Sequence, residues 1–242
     1  SERFKNWAEI RKALEADDLP VTKNTPFVEI LVNKSLERDR ELKEQALKQE
    51  KRIEEMKEQK GIVRYQFEKS ILIPFKELID EFNSKYQGEK ISISEQEFDQ
   101  TAFIIQLPSG RRIYVEVKIL FDEDFYREEI KEGFGRRIVT KQLRRPLLYE
   151  RKIMAWGEVR GGDGKGFNLV LVEQQNGIYG DWFILVNTNN PTVVKQRLPE
   201  PFPFSFEEIE EELKYIRMVH IYYTDVKSFE IKYLFDFIMN CF

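Results

Sequence analysis

Hydrophobic and polar positions along this chain change rhythm several times. Near the start, Trp7, Ile10 and Leu14 sit at helical spacing before "DDLP" and "NTP" break the pattern. From Asn33 to Lys60 apolar residues become sparse. Leu42, Ala46, Ile53 and Met56 fit a thin seam of alternating threes and fours, with Gln49 filling the remaining place. Beyond Gly61, which is expected to break or kink the helix, the stripe strengthens. Phe67, Ile71, Phe75, Leu78, Ile79, Phe82 and Tyr86 share one helical face. Pro74 inside that run predicts a kink, or a second helix starting close to it.

From residue 90 the period falls to two. Strands are expected at 90–95, 101–107, 111–120, 152–159, 167–174 and 181–188. "PSG", "RGGDGKG" and "QNGIYG" supply the turn residues that hairpins between them require. The charged stretch 121–151 is expected to be helical for part of its length. Near the end, Ser205 and Glu208 form a capping box that opens a helix with Ile209, Leu213 and Ile216 buried. A last apolar helix follows, with Phe229, Leu234, Phe237 and Ile238 able to pack. The expected fold is α+β: a mostly antiparallel sheet of five to six strands flanked by helices, with a long charged N-terminal helix. Two parts follow from the pattern, an arm and charged helix over 1–60 and an α+β domain over 61–242.

Composition sharpens this picture. Of the 27 residues from Lys34 to Lys60, 17 are charged, and none is Gly or Pro. A helix that polar cannot be held by a broad core contact, so its seam through Leu42, Ile53 and Met56 is expected either to pair along one edge with a neighbouring segment or to form a coiled coil with another chain. The formal net charge is -4, so any nucleic-acid surface has to be a local patch. The single Cys, Cys241, rules out an intramolecular disulfide and a cysteine zinc site. The single His, His220, makes a hydrolytic triad a poor expectation, and a structural or capping role suits it better. No apolar run spans a membrane and no leader pattern opens the chain, so a cytoplasmic protein is expected.

The sharpest chemical candidate is the stretch Phe98–Lys118. Asp99 precedes a turn and a strand carrying Glu116-Val117-Lys118. Positions i and i+2 of a strand face the same way, so Glu116 and Lys118 project together. The stretch 67–120 resembles the PD-(D/E)xK nucleases. That resemblance implies an Mg²⁺ held by Asp99 and Glu116, a water assisted by Lys118, and a further acid from the preceding helix at Glu77 or Glu81. The chain has Phe98 where the family's motif has Pro, and it lacks the Gln-x-x-x-Tyr sequence of some members. The competing reading is a charged hairpin, with Ile113, Val115, Val117 and Ile119 facing the core and Tyr114, Glu116 and Lys118 facing water.

A basic segment follows. Arg136, Arg137, Lys141, Arg144 and Arg145, with Arg151 and Lys152 beyond, could grip phosphates from one side of a helix. They could equally neutralise the acids of 122–132. "GGDGKGFN" lacks the spacing of a phosphate loop and reads as a turn. Tyr179 and Trp182 beside a Gly turn could form a recognition surface or pack at a sheet edge. The expected function is a non-enzymatic assembly or adaptor protein without a cofactor. Its long helix and C-terminal helices would contact a protein partner or a second copy. Mg²⁺-dependent cleavage is the alternative, and nucleic-acid binding without cleavage a second one. The sequence does not name the partner or the substrate.

Overall fold

The computed structural model describes residues 26–96, 99–133, 136–143, 145–175, 177–190, 198–205 and 222–241. The helix expected around Trp7, the capping-box helix after Ser205 and His220 lie outside the described residues. The chain divides into two compact units, Ser1–Glu55 and Met56–Phe242.

Helix α1 runs from Pro26 to Phe67. Gly61 does not break it, because strong helix formers flank the glycine and its cost in a helix interior is only about 1 kcal/mol. A π-helical turn, Glu68–Leu72, then leads into α2, Ile73–Lys85. Pro74 explains the irregularity. It has no N–H to donate and its ring crowds the carbonyl four residues back, so the turn before it widens instead of staying α-helical.

The sheet strands are β1 (Ser92–Gln96), β2 (Asp99–Gln106), β3 (Arg112–Ile119), β7 (Arg151–Gly161), β8 (Gly166–Glu173), β9 (Gly180–Asn189) and β10 (Tyr222–Ser228). They pair in that order, every pair antiparallel, and the short β6 (Leu147–Leu148) joins β7 at one end. The α+β architecture stands, but the strand count exceeds the expected five to six. A further correction concerns 121–151. After a short 3-10 turn at Asp122–Phe125 it forms a two-stranded ribbon of β4 (Tyr126–Gly133) and β5 (Arg136–Leu143), with no α-helix among its described residues.

Each face of the sheet carries its own core. On the first, Phe67, Ile71, Phe75 and Ile79 meet Phe103, Ile105, Val115, Val117, Leu169 and Ile184. Helix α3, Ile231–Met239, covers the same face with Leu234 and Ile238. On the second face Leu120, Phe125, Ile153, Trp156, Val170 and Leu185 gather around Phe202 and Phe204. These two phenylalanines belong to an extended strap, residues 198–205, that forms part of the second layer.

The strap is tied down by asparagines. Asn168 donates from Nδ2 to the carbonyls of Gly157 (3.0 Å) and Phe204 (2.9 Å), and its Oδ1 accepts from Phe204 N–H (2.9 Å) and Asn187 Nδ2 (2.9 Å). Asn187 Nδ2 also donates to Phe202 O, and its Oδ1 accepts from the Thr224 hydroxyl. Asn189 exchanges two hydrogen bonds with the backbone of Leu198. A polar residue in a core is tolerated only when so satisfied. Beneath the strap, Gly166 donates its N–H to Pro201 O at 2.7 Å. A Cβ at Gly166 would lie 1.8 Å from Val159 O, so only glycine fits there. "GGDGKGFN" is accordingly a hairpin turn, with Gly164 at φ +82° and its N–H bonded to Gly161 O.

Candidate interaction surface

The central hairpin is half buried in strict alternation. Ile113, Val115 and Val117 lie in the core, while Tyr114, Glu116 and Lys118 are exposed. Opposite Glu116 stands Ala102 on β2, and Asp99 comes three positions earlier on that strand, paired with Gln96 of β1. Three strand steps amount to about 10 Å along the ribbon. The side chain of Asp99 is outside the described residues. On its other side Glu116 faces Glu158 of β7, whose carboxylate is held 2.7 Å from the Arg160 guanidinium. Of the two helical acids considered, Glu77 is exposed. Glu81 pairs with Lys85 one turn on, and that hydrogen bond holds its carboxyl below the usual range. Among the described residues, no three His, Cys, Asp or Glu side chains are grouped to hold a metal ion.

The basic segment is not one helical patch. Arg136, Arg137 and Lys141 lie on β5, where the register sets Glu132 opposite Arg137 and Glu128 opposite Lys141. The side chains of Arg136 and Arg137, and Arg144 altogether, are outside the described residues. Arg145 is 6% exposed. Its guanidinium pairs with Asp122 and donates to Leu120 O (2.9 Å) and Ile153 O (2.8 Å), with Phe125 beneath it. It is a structural pin that ties 121–125 to β7. Arg151 likewise meets Asp181 at 3.0 Å, and Gln174 Nε2 donates to the same carboxylate at 2.7 Å. The Gln174 hydrogen bond, aided by Arg151 and opposed by partial burial, keeps Asp181 below the ordinary carboxylate range.

Other titratable groups have structural surroundings. Burial, then the charge of Asp163, raises the Cys241 thiol, and burial raises the Tyr233 phenol. Asp225 raises the Lys227 ammonium by a hydrogen bond. Trp182 is buried against Phe67, and Tyr179 is exposed beside Tyr65. Near them Gln66 exchanges both of its amide functions with one residue: Nε2 donates to Gly180 O and Oε1 accepts from Gly180 N–H. Trp182 thus packs at the sheet, as the second of the two expectations had it, and Tyr179 stays at the surface.

Long helix α1 differs from all of these. Every described side chain from Val28 to Glu55 is exposed. Leu42 is 54% and Ile53 53% exposed, and Ala46 and Gln49 stand between them. The seam runs on in phase through half-buried Met56 to Val63 and Phe67, which are buried in the sheet's first core. Sequence reasoning named Leu42, Ile53 and Met56 but passed over Val28, Ile30, Leu31, Val32, Leu36 and Leu47, all exposed. The "PFVEILV" run at the helix start was the available signal. By contrast, α3 spends its apolar stripe inside the fold.

Among the described helices none is long and apolar enough to cross a membrane. No family model, curated protein or solved structure matches the chain.

Proposed function

We propose that the protein is a non-enzymatic assembly protein that joins a protein partner along α1, with the sheet as platform. The observation that supports this reading is the uncovered helical stretch itself. Some 28 residues of isolated, highly charged helix gain little from propensity alone, since most helical stability comes from packing an apolar stripe. Here the stripe exists, in coiled-coil spacing, and nothing in the same chain covers it among the described residues. A partner helix supplies the missing contact, and a few exposed leucines and isoleucines at seam positions suffice for a reversible association.

Sedimentation over a range of concentrations tests it. With a suitable partner, or with the protein alone if it pairs with itself, the mass rises with concentration and returns to that of one chain in Leu42→Asp/Ile53→Asp. Both side chains are more than half exposed, so this variant keeps its melting temperature. Mg²⁺-dependent cleavage of nucleic acid, abolished by Glu116→Ala and Lys118→Ala with an unchanged mass in Leu42→Asp/Ile53→Asp, would establish the nuclease alternative instead.

A further inference from the structure

Resting on the assembly reading, we infer that the partner of α1 is a second copy of the same helix, running antiparallel, with its centre between Ala46 and Gln49. The charge pattern of the exposed stretch carries the argument.

The seam places Asp39, Ala46 and Ile53 at one set of core positions and Leu42 and Gln49 at the other. Flanking the seam are Arg38, Gln45 and Arg52 on one side and Leu36, Lys43, Glu50 and Lys57 on the other. In a parallel, in-register pair, each core residue meets its own twin, so Asp39 is pressed against Asp39. The flanking contacts then run from each residue to the one five positions on in the second copy. They bring Arg38 to Lys43 and Arg52 to Lys57, each twice by symmetry. Every charged contact across that interface is repulsive.

Antiparallel pairing changes the partners. Core residues of one set now meet those of the other, and flanking residues meet their own kind across the seam. Three registers keep the middle of the stretch overlapped. Centring one half-heptad earlier sets Lys43 against Lys43 and Arg38 against Arg52. Centring one half-heptad later sets Glu50 against Glu50, Lys43 against Lys57 and Arg52 against Arg52. Only the register in which Ala46 faces Gln49 is free of like-charge contacts at these positions. It stacks Leu42 on Ile53 twice, pairs Lys43 with Glu50 twice, and brings Gln45 beside Arg52. The two Asp39 residues move 17 helical steps apart, about 25 Å at 1.5 Å per residue. Charge therefore selects both direction and register, the specificity role that flanking positions serve in coiled coils.

Cysteine cross-linking in full-length protein reads the geometry directly. In a Cys241→Ser background, Leu42→Cys and Ile53→Cys proteins are mixed in a glutathione redox buffer. The expected product is the mixed disulfide that joins one Leu42→Cys chain to one Ile53→Cys chain, at least tenfold over either self-linked product. A self-linked Leu42→Cys dimer would overturn the antiparallel arrangement while leaving assembly standing. A species that stays at the mass of one chain at every concentration would overturn self-pairing itself. Charge exchange gives an independent readout. Lys43→Glu weakens dimerisation about tenfold and Lys43→Glu/Glu50→Lys restores it, from two surface pairs each worth up to about 1 kcal/mol. In a parallel dimer Lys43→Glu would instead tighten association, because it relieves the contact with Arg38.

Discussion

Asn168 is the single side chain on which the second layer of the sheet most depends, and Asn168→Ala measures that dependence. Four hydrogen bonds vanish with its amide: two to the carbonyls of Gly157 and Phe204, one from Asn187, one from the backbone N–H of Phe204. Phe204 O keeps a donor in Trp156 Nε1 at 3.2 Å, and Asn187 keeps Phe202 O. The N–H of Phe204 keeps nothing comparable among the described residues. Three ordinary bonds at about 1 kcal/mol each, plus one buried donor left stranded at about 1–3 kcal/mol, give a loss of about 4–6 kcal/mol. Urea unfolding, followed by tryptophan fluorescence and far-UV circular dichroism, reads it. With a slope near 2 kcal/mol/M the midpoint falls by about 2–3 M. Asn168→Asp is the sharper companion. It keeps the acceptor and the shape but turns the donor into an oxygen aimed at two carbonyls. Its loss exceeds that of alanine at neutral pH and shrinks in acid, where the carboxylic proton restores one donor. A loss below about 1.5 kcal/mol for both variants would refute the view that these asparagines hold the strap.

Three further outcomes are expected. Tyr149 and Glu150 both have positive φ, 52° and 62°, in the turn between β6 and β7, a geometry that suits Asn-Gly; Tyr149→Asn/Glu150→Gly raises stability by about 1–2 kcal/mol in the same urea titration. Arg145→Ala lowers stability by about 3 kcal/mol and Arg145→Lys rescues little of it, because one ammonium cannot replace the planar fork that reaches Asp122, Leu120 and Ile153 together. Asp181 has a depressed folded-state pKa, so its contribution is present above the unfolded-state value and is lost as pH falls through the folded one. The stability gap between wild type and Asp181→Asn, small because the side chain is well exposed, is therefore expected to be flat near neutrality and to close in acid.

What the sequence told in advance follows from how strongly each segment is patterned. The strands around Val115, Leu169 and Ile184 alternate against a deep core, and period two survives in them plainly. The β4–β5 ribbon carries no such plain alternation along its sequence. Its acids, lysines and arginines favour helix as residues, and only cross-strand pairing, invisible along the chain, makes them strands. β10 alternates too, half-buried Tyr222, Thr224 and Val226 against exposed Tyr223, Asp225 and Lys227, but it is short and was lost beside a helix-like neighbour. Of the candidate interaction surface, the seam itself was legible at Leu42 and Ile53. Its lack of cover was not, since exposure depends on where every other segment goes. Nor could sequence show Arg145 committed to carbonyls, or Asn168 gathering four bonds, because a lone polar residue in "FNLVLV" looks like any surface asparagine.

The strap has an implication for what the chain can tolerate. Residues 198–205 are gripped by Asn168, Asn187 and Asn189, side chains that belong to the sheet, and each holds a different point of the strap, at Phe204, Phe202 and Leu198 in turn. The loss of one of these asparagines therefore frees one point of the strap while the other two still hold it.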